Sequence, residues 1–206
     1  MFNLNENRDR DFQVPAIDID VIKEMSTGIL DKEYLAFIKD VSNGGFFFEG
    51  SLHLYGFCKS PTYHNIKFVN SIISYEYGKF SEGLVFFGQE ALGNQFAFTN
   101  KGIAIFNIET AGIEIIAKDF NSWLQILKND LEYLTARNLL ISWKRNEEIR
   151  YDQRLCAKKP FIIGGEYSVE NLYPQFFPTY LSSNANIAKQ IHDLPDGTEI
   201  NIKITE

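Results

Sequence analysis

Apolar residues fall in short alternating or continuous runs through the middle of the chain and at helical spacing on either side of it. Between Gly83 and Ala117 four β-like runs follow one another: Gly83-Leu84-Val85-Phe86-Phe87-Gly88, Gln95-Phe96-Ala97-Phe98-Thr99, Ile103-Ala104-Ile105-Phe106 and Ile113-Glu114-Ile115-Ile116-Ala117. Leu92-Gly93-Asn94, Asn100-Lys101-Gly102 and Thr110-Ala111-Gly112 separate them. Gly and Asn adopt positive φ at low cost, as tight hairpin turns require, so the pattern predicts a local antiparallel meander. Directly after it, Asp119 is placed to cap a helix whose Phe120, Trp123, Leu124, Leu127 and Leu131 share one stripe. A sheet with an apolar face followed by a helix with an apolar stripe is half of a two-layer domain.

The flanking chain reads as follows. Residues 1–14 form a loose leader, and Pro15 opens a helix carrying Ile17, Val21, Ile22 and Met25, broken at Thr27-Gly28. Asp31 opens a second helix with Tyr34, Phe37, Ile38 and Val41 on one side, and Ser42-Asn43-Gly44-Gly45 ends it. Phe46-Phe47-Phe48 and Leu52-His53-Leu54-Tyr55 read as short strands. Three consecutive Phe cannot all face one side of a strand, so either both faces are covered or one Phe lies at a contact surface; covering is the expectation, because large exposed apolar patches are uncommon. Residues 61–82 hold a helix with Ile66, Val69, Ile72 and Ile73 and end in an exposed loop, Tyr75 to Glu82. Helical pattern continues past Leu134 to about Lys144 with a break at Asn138, and the charge-dense residues 144–154 read as a solvated helix end or connector. Phe161-Ile162-Ile163 reads as a strand, Ile187, Ile191 and Leu194 as a helix stripe, and Pro195-Asp196-Gly197 as a turn. From Glu199 to Ile204 the chain alternates as a strand, with Ile200, Ile202 and Ile204 inward, and so regular a strand is expected to dock on a sheet. No repeat or Gly/Ser linker divides the 206 residues. One domain is expected, with a core over 15–145, a C-terminal extension over 146–206 packed on it, and a seam at 144–160.

Hydrophobic residues make up 45 % and aromatics 15 %, which supplies a sizeable core and argues against disorder. Lys and Arg number 20 and Asp and Glu 27, giving a net charge of −7. Such a surface repels phosphate backbones and anionic lipid, so no nucleic-acid or membrane partner is expected. It is compatible with a basic protein partner, although plain solubility accounts for it equally simply. Cys58 and Cys156 lie in no C-x-x-C pattern. Either they form one long-range disulfide or they are two buried thiols in a reducing cytosol, and the second is the expectation. The first ten residues lack a secretory pattern, no apolar run reaches the ~20 residues of a membrane helix, and no N-x-[ST] sequon occurs. The cytoplasm is the expected compartment.

No nucleophile elbow, P-loop, dinucleotide fingerprint or H-E-x-x-H motif is present. His53, His64 and His192 are scattered, and each reads as a surface or hydrogen-bonded core residue. Glu147 and Glu148 are adjacent and diverge on a helix, while Asn94 and Gln95 read as turn residues. No catalytic residue, cofactor or metal site is expected, which favours a binding protein over an enzyme.

Three passages together resemble the SUKH superfamily, the group of cell-wall-assembly-regulator-like domains and bacterial immunity proteins. The first is Ile29-Leu30-Asp31-Lys32-Glu33-Tyr34-Leu35-Ala36-Phe37-Ile38 closing on Asn43-Gly44-Gly45, with Asp31 standing where the family usually has a Pro. The second is Gly93-Asn94-Gln95-Phe96-Ala97-Phe98, Gly102-Ile103 and Ala117-Lys118-Asp119-Phe120-Asn121-Ser122-Trp123-Leu124. The third is Gly164-Gly165-Glu166-Tyr167-Ser168-Val169-Glu170-Asn171-Leu172-Tyr173 with Leu194-Pro195-Asp196-Gly197-Thr198. The resemblance implies an α+β fold: a mixed, mostly antiparallel sheet of about six strands flanked by helices, with a C-terminal αβ extension. It also implies a role in binding and neutralising a cognate bacterial toxin, often a nuclease, and it carries over no catalytic residues. An intracellular scaffold or regulator of the same fold, with a non-toxin partner, is the alternative. A hydrolase whose residues meet only in three dimensions is a third reading. The candidate partner contacts are exposed acids and aromatics: Glu49, Tyr75, Glu76, Tyr77 and Glu82.

Overall fold

A computed structural model describes residues 4–28, 31–195 and 197–198. In chain order the helices are α1 (Ile19–Met25), α2 (Lys32–Asp40), α3 (Ile66–Tyr77), α4 (Phe120–Asn129), α5 (Leu131–Thr135), α6 (Arg137–Lys144) and α7 (Thr179–Ile191). The strands are β1 (Gly45–Phe47), β2 (Leu52–Leu54), β3 (Val85–Glu90), β4 (Gln95–Thr99), β5 (Gly102–Phe106), β6 (Ile113–Ala117), β7 (Gln153–Ala157) and β8 (Leu172–Phe176). The first six make one sheet in sequential order, every pair antiparallel, and β7 and β8 form a separate antiparallel ribbon. The fold is α+β, and the meander forms over the runs that the alternation predicts.

The helix starts follow from single carboxylates. Asp119 accepts from the Ser122 amide at 2.7 Å and caps α4. Asp31 caps α2 through the Tyr34 amide at 3.0 Å, and its second oxygen accepts from the Phe120 amide at 2.7 Å. One side chain therefore fixes two helix N-termini against each other.

The sheet is covered on both faces, not on one. Phe87, Phe96 and Phe98 meet Tyr34 of α2 or Trp123 of α4, with ring centroids 5.0–5.5 Å apart. On the other face Phe86 and Tyr77 of α3 pack edge-on against Phe106 at 5.4 and 5.0 Å. Helix α7 lies against α3, and its Tyr180, Leu181, Ala185 and Ala188 join the same core. Phe46, Phe47 and Phe48 are all buried, as covering on both faces requires.

The C-terminal extension is tied to the sheet by Glu109, whose carboxylate accepts from the amides of Phe161 and Ile162 at 3.1 and 3.0 Å. A smaller apolar cluster joins Leu140 and Trp143 of α6 to Leu155 of β7 and Leu172 of β8.

Several local expectations need correction. The leader is not loose from Leu4 onward. Leu4 is buried, Arg8 bridges Phe47 antiparallel, and the Asp9 amide donates to the Phe46 carbonyl at 2.8 Å. Helix α1 starts at Ile19, because the Asp18 side chain caps it, and not at Pro15. Val41 is exposed at the end of α2. The break after α5 falls at Ala136, in left-handed conformation, and not at Asn138. Residues 153 and 154 belong to β7, and Arg154 is buried, so the charged stretch is not wholly solvated. Phe161–Ile163 is a 3-10 turn held by Glu109, not a strand, and Leu194 lies beyond α7. Cys58 and Cys156 are both buried and unpaired. Ile29, Leu30, Asp196 and the alternating stretch from Glu199 to Ile204 lie outside the described residues.

Because Asp31 serves two helices, Asp31→Ala should cost about 2–3 kcal/mol in urea unfolding, the sum of two ordinary caps. Val41→Ala, at an exposed position, should stay within about 0.5 kcal/mol. Equal effects from the two changes would contradict the double-cap assignment.

Candidate functional site

Among the described residues strand β6 ends the six-stranded sheet and is an edge. The Asn107 amide donates to the Gly112 carbonyl at 2.9 Å, which makes that pair a hydrogen-bonded one. Antiparallel ladders alternate, so Glu114 is bonded to Ile105 of β5, while Ile113 and Ile115 turn their N–H and C=O groups outward. Among the described residues nothing pairs with that outer side. The Ile113 and Ile115 side chains are 49 % and 44 % exposed.

Beside this edge runs a groove of about 950 Å³. Ile105 and Glu114 line it from the sheet, Glu132 and Tyr133 from α5, Asn138 and Leu139 from α6, and Tyr167 to Val169 from the loop before β8. Its charged lining residues are Glu90, Glu114 and Glu132, with no Lys, Arg or His among them. Arg137 of α6 is held in a two-point ion pair with Glu49, at 2.6 and 2.9 Å. Tyr133 and Tyr167 are both exposed, and Tyr167 stacks on Phe161 at 4.0 Å. Partial burial, and then the nearby Glu114 carboxylate, push the Tyr133 phenol up.

Glu90 sits at the base of the groove and is 3 % exposed. Its carboxylate accepts from the amides of Leu92 and Asn94 at 2.8 and 2.9 Å. Burial pushes this group up to about 7, against those two hydrogen bonds and the Arg154 charge, which pull it down.

Elsewhere in the core a polar chain crosses the sheet. His64 Nε2 lies 3.1 Å from the Asn43 carbonyl oxygen and so carries a proton. Its Nδ1 lies 2.9 Å from His53 Nε2. Burial is the main force that holds both rings neutral, with His64 lowered to about 4 and His53 well below the ordinary histidine value. A neutral His64 then accepts from His53, and His53 Nδ1 lies 3.1 Å from the Gln89 carboxamide. The Tyr180 hydroxyl hydrogen-bonds to the Gln89 carboxamide at 2.6 Å, and Tyr55 donates to Gln95 at 2.6 Å. Phe46 stacks on His53 at 4.0 Å and seals the pair from solvent. The cavity above Arg154 is about 20 Å³, room for about one water. Among the described residues no group of three His, Cys, Asp or Glu side chains is disposed to hold a metal, and no helix is long and apolar enough to cross a membrane.

The structure does not gather the five residues that the sequence singles out. Tyr77 is buried within α3 and donates to the Ile108 carbonyl at 2.8 Å, so it is a core residue and not an exposed loop contact. Glu76 accepts from Ser182 of α7 at 2.6 Å. Glu49 binds Arg137, which holds its carboxyl below the usual range. Tyr75 at 83 % exposure and Glu82 remain at the surface, beyond the middle of α3. No hydrogen bond, ion pair or ring contact among the described residues joins Glu49 to the α3 group. Gln95 is a buried partner of Tyr55 and not a turn residue. Glu114, Glu132 and Tyr133 were missed because they come from separate elements. The available signal was that Glu114 lies in the last run of the meander, at its end.

The chain is similar to the crystal structure of Atu4351 from Agrobacterium tumefaciens, with a TM-score of 0.56 and 20 % sequence identity over 86 % of this chain and 83 % of that one. That likeness shows the fold alone. No family model and no curated protein matches the chain.

The titrations of His64 and Glu90 oppose each other. His64 is depressed when folded, so the stability it contributes is complete above about 6.5 and is lost as the pH falls toward about 4. Glu90 is raised when folded, so its contribution is complete below about 4.5 and is lost as the pH rises through about 7. Glu90→Gln removes the second effect. Its unfolding free energy should fall more steeply than that of the natural protein between pH 6.5 and 4.5, by about 2 kcal/mol across the window. Parallel pH profiles in urea titrations would contradict a raised Glu90.

Proposed function

We propose that this chain is a protein-binding module that converts no substrate, and that it serves as an immunity protein which binds and neutralises a cognate bacterial toxin. The observation that carries the reading is the groove along β6, whose charged lining is wholly acidic and lies beside backbone that is unpaired among the described residues. A toxin that grips phosphates, such as a nuclease, is basic around its site. An acidic surface steers such a partner and raises its association rate at low salt. The net charge of −7 acts in the same direction. The two imidazoles in contact, His53 and His64, are buried under Phe46, which favours binding over catalysis. The resemblance to the SUKH superfamily supports the same role. Tyr75 and Glu82 offer a second, flatter contact surface.

The test uses a candidate toxin from the neighbouring locus. Co-expression should protect cells from it, and the purified proteins should associate. Glu114→Lys with Glu132→Lys should slow association about 10-fold or more at low salt, with the gap narrowing at high salt. Neither protection nor a complex would sink the immunity reading. A complex with a non-toxin protein in its place would favour a scaffold or regulator of the same fold.

A further inference from the structure

We propose that the partner delivers an extended, basic segment that adds to β6 as a seventh strand. The inference rests on the protein-binding reading above and specifies how that site is used. Outward N–H and C=O groups at Ile113 and Ile115 form a short template for strand addition. The two ends of the sheet are treated differently by the chain. The outer side of β1 is taken by the N-terminal segment, through the Arg8–Phe47 bridge, the Asp9 amide on Phe46 and the Phe48 amide on the Asn7 carbonyl at 2.9 Å. The outer side of β6 has no such cover among the described residues. β6 carries two of the usual protections of an edge, the Glu114 charge and a bulge, but neither Pro nor Lys. The register shift between β5 and β6, which leaves Ile116 unopposed, confines the template to its first part.

Register fixes the chemistry of the occupant. A residue opposite Glu114 on an added strand shares its face of the sheet and projects beside Glu132 and Tyr133. A Lys or Arg there meets two carboxylates and no competing cation in the groove lining. The residues opposite Ile113 and Ile115 lie on the other face, where apolar side chains extend the exposed isoleucine pair. The recognised pattern is therefore apolar-basic-apolar in an extended segment. A second copy of this chain fits poorly, because two-fold pairing centred on the Ile113–Ile115 template sets Glu114 directly opposite Glu114, and like charges so placed are destabilising.

The test uses the whole protein and three capped heptapeptides, read by amide hydrogen exchange in NMR. The first is Val-Lys-Val-Lys-Val-Lys-Val, the second has Glu for each Lys, and the third is the first with its valine amides N-methylated. The Ile113 and Ile115 amides should exchange rapidly in the free protein, and the Glu114 amide slowly. The Lys peptide should slow Ile113 and Ile115 at least about 10-fold at saturation. The Glu peptide and the N-methylated peptide should leave them unchanged. No slowing at millimolar Lys peptide, or equal slowing by the N-methylated form, would overturn strand addition. Slow exchange at Ile113 in the free protein through self-association would overturn it as well. A protein that protects cells from the toxin yet fails here loses only this inference; one that passes here and protects nothing loses the immunity role.

Discussion

Phe86 and Phe87 leave β3 toward opposite faces of the sheet, and each meets a separate set of rings: Phe106 on one side, and Phe98, Tyr34 and Trp123 on the other. Burying both requires a helical layer on each side, because truncating either ring to Ala costs on the order of 3–5 kcal/mol. Helices α2 and α4 answer to one face, and α3 with α7 to the other. Once both faces are spent on the core, a partner can reach the sheet only through its edges. The N-terminal segment occupies the edge at β1, and among the described residues the edge at β6 lies uncovered beside the groove that α5, α6 and the 167–169 loop build.

The parts of this fold that rest on neighbouring residues were legible in the sequence. The meander follows from period-two runs between Gly and Asn turns, and the helix starts follow from Asp31 and Asp119. Partnerships over long sequence separations were not legible. His53 and His64 come from β2 and the loop before α3, and nothing in their spacing announces a 2.9 Å contact. Arg154 sits in a stretch dense with charge, and composition alone cannot distinguish the one guanidinium that turns inward, 5.3 Å from the Phe46 ring. Tyr75 and Tyr77 look alike in sequence, but two steps along a helix turn one into solvent and the other into the core. The groove was hidden for the same reason, since it is assembled from β6, α5, α6 and a loop some fifty residues further on.

The polar chain from Asn43 through His64, His53 and Gln89 to Tyr180 is expensive to bury and leaves its groups fully engaged only when both imidazoles are neutral. It ties β2, β3, the loop before α3 and α7 to one another, so its contribution is to fix how the C-terminal helix sits on the sheet. Such a network suits a rigid scaffold. A rigid scaffold in turn suits a protein that presents a preformed edge, because little ordering remains to be done when the partner arrives.

The central claim is that this protein works through the surface at β6. Hydrogen–deuterium exchange across the whole chain, with and without a candidate toxin from the neighbouring locus, tests it most directly. The account predicts that exchange slows at residues 113–115 and 131–142, while residues 66–82 do not change. Slowing confined to residues 75–82, with β6 untouched, would contradict it.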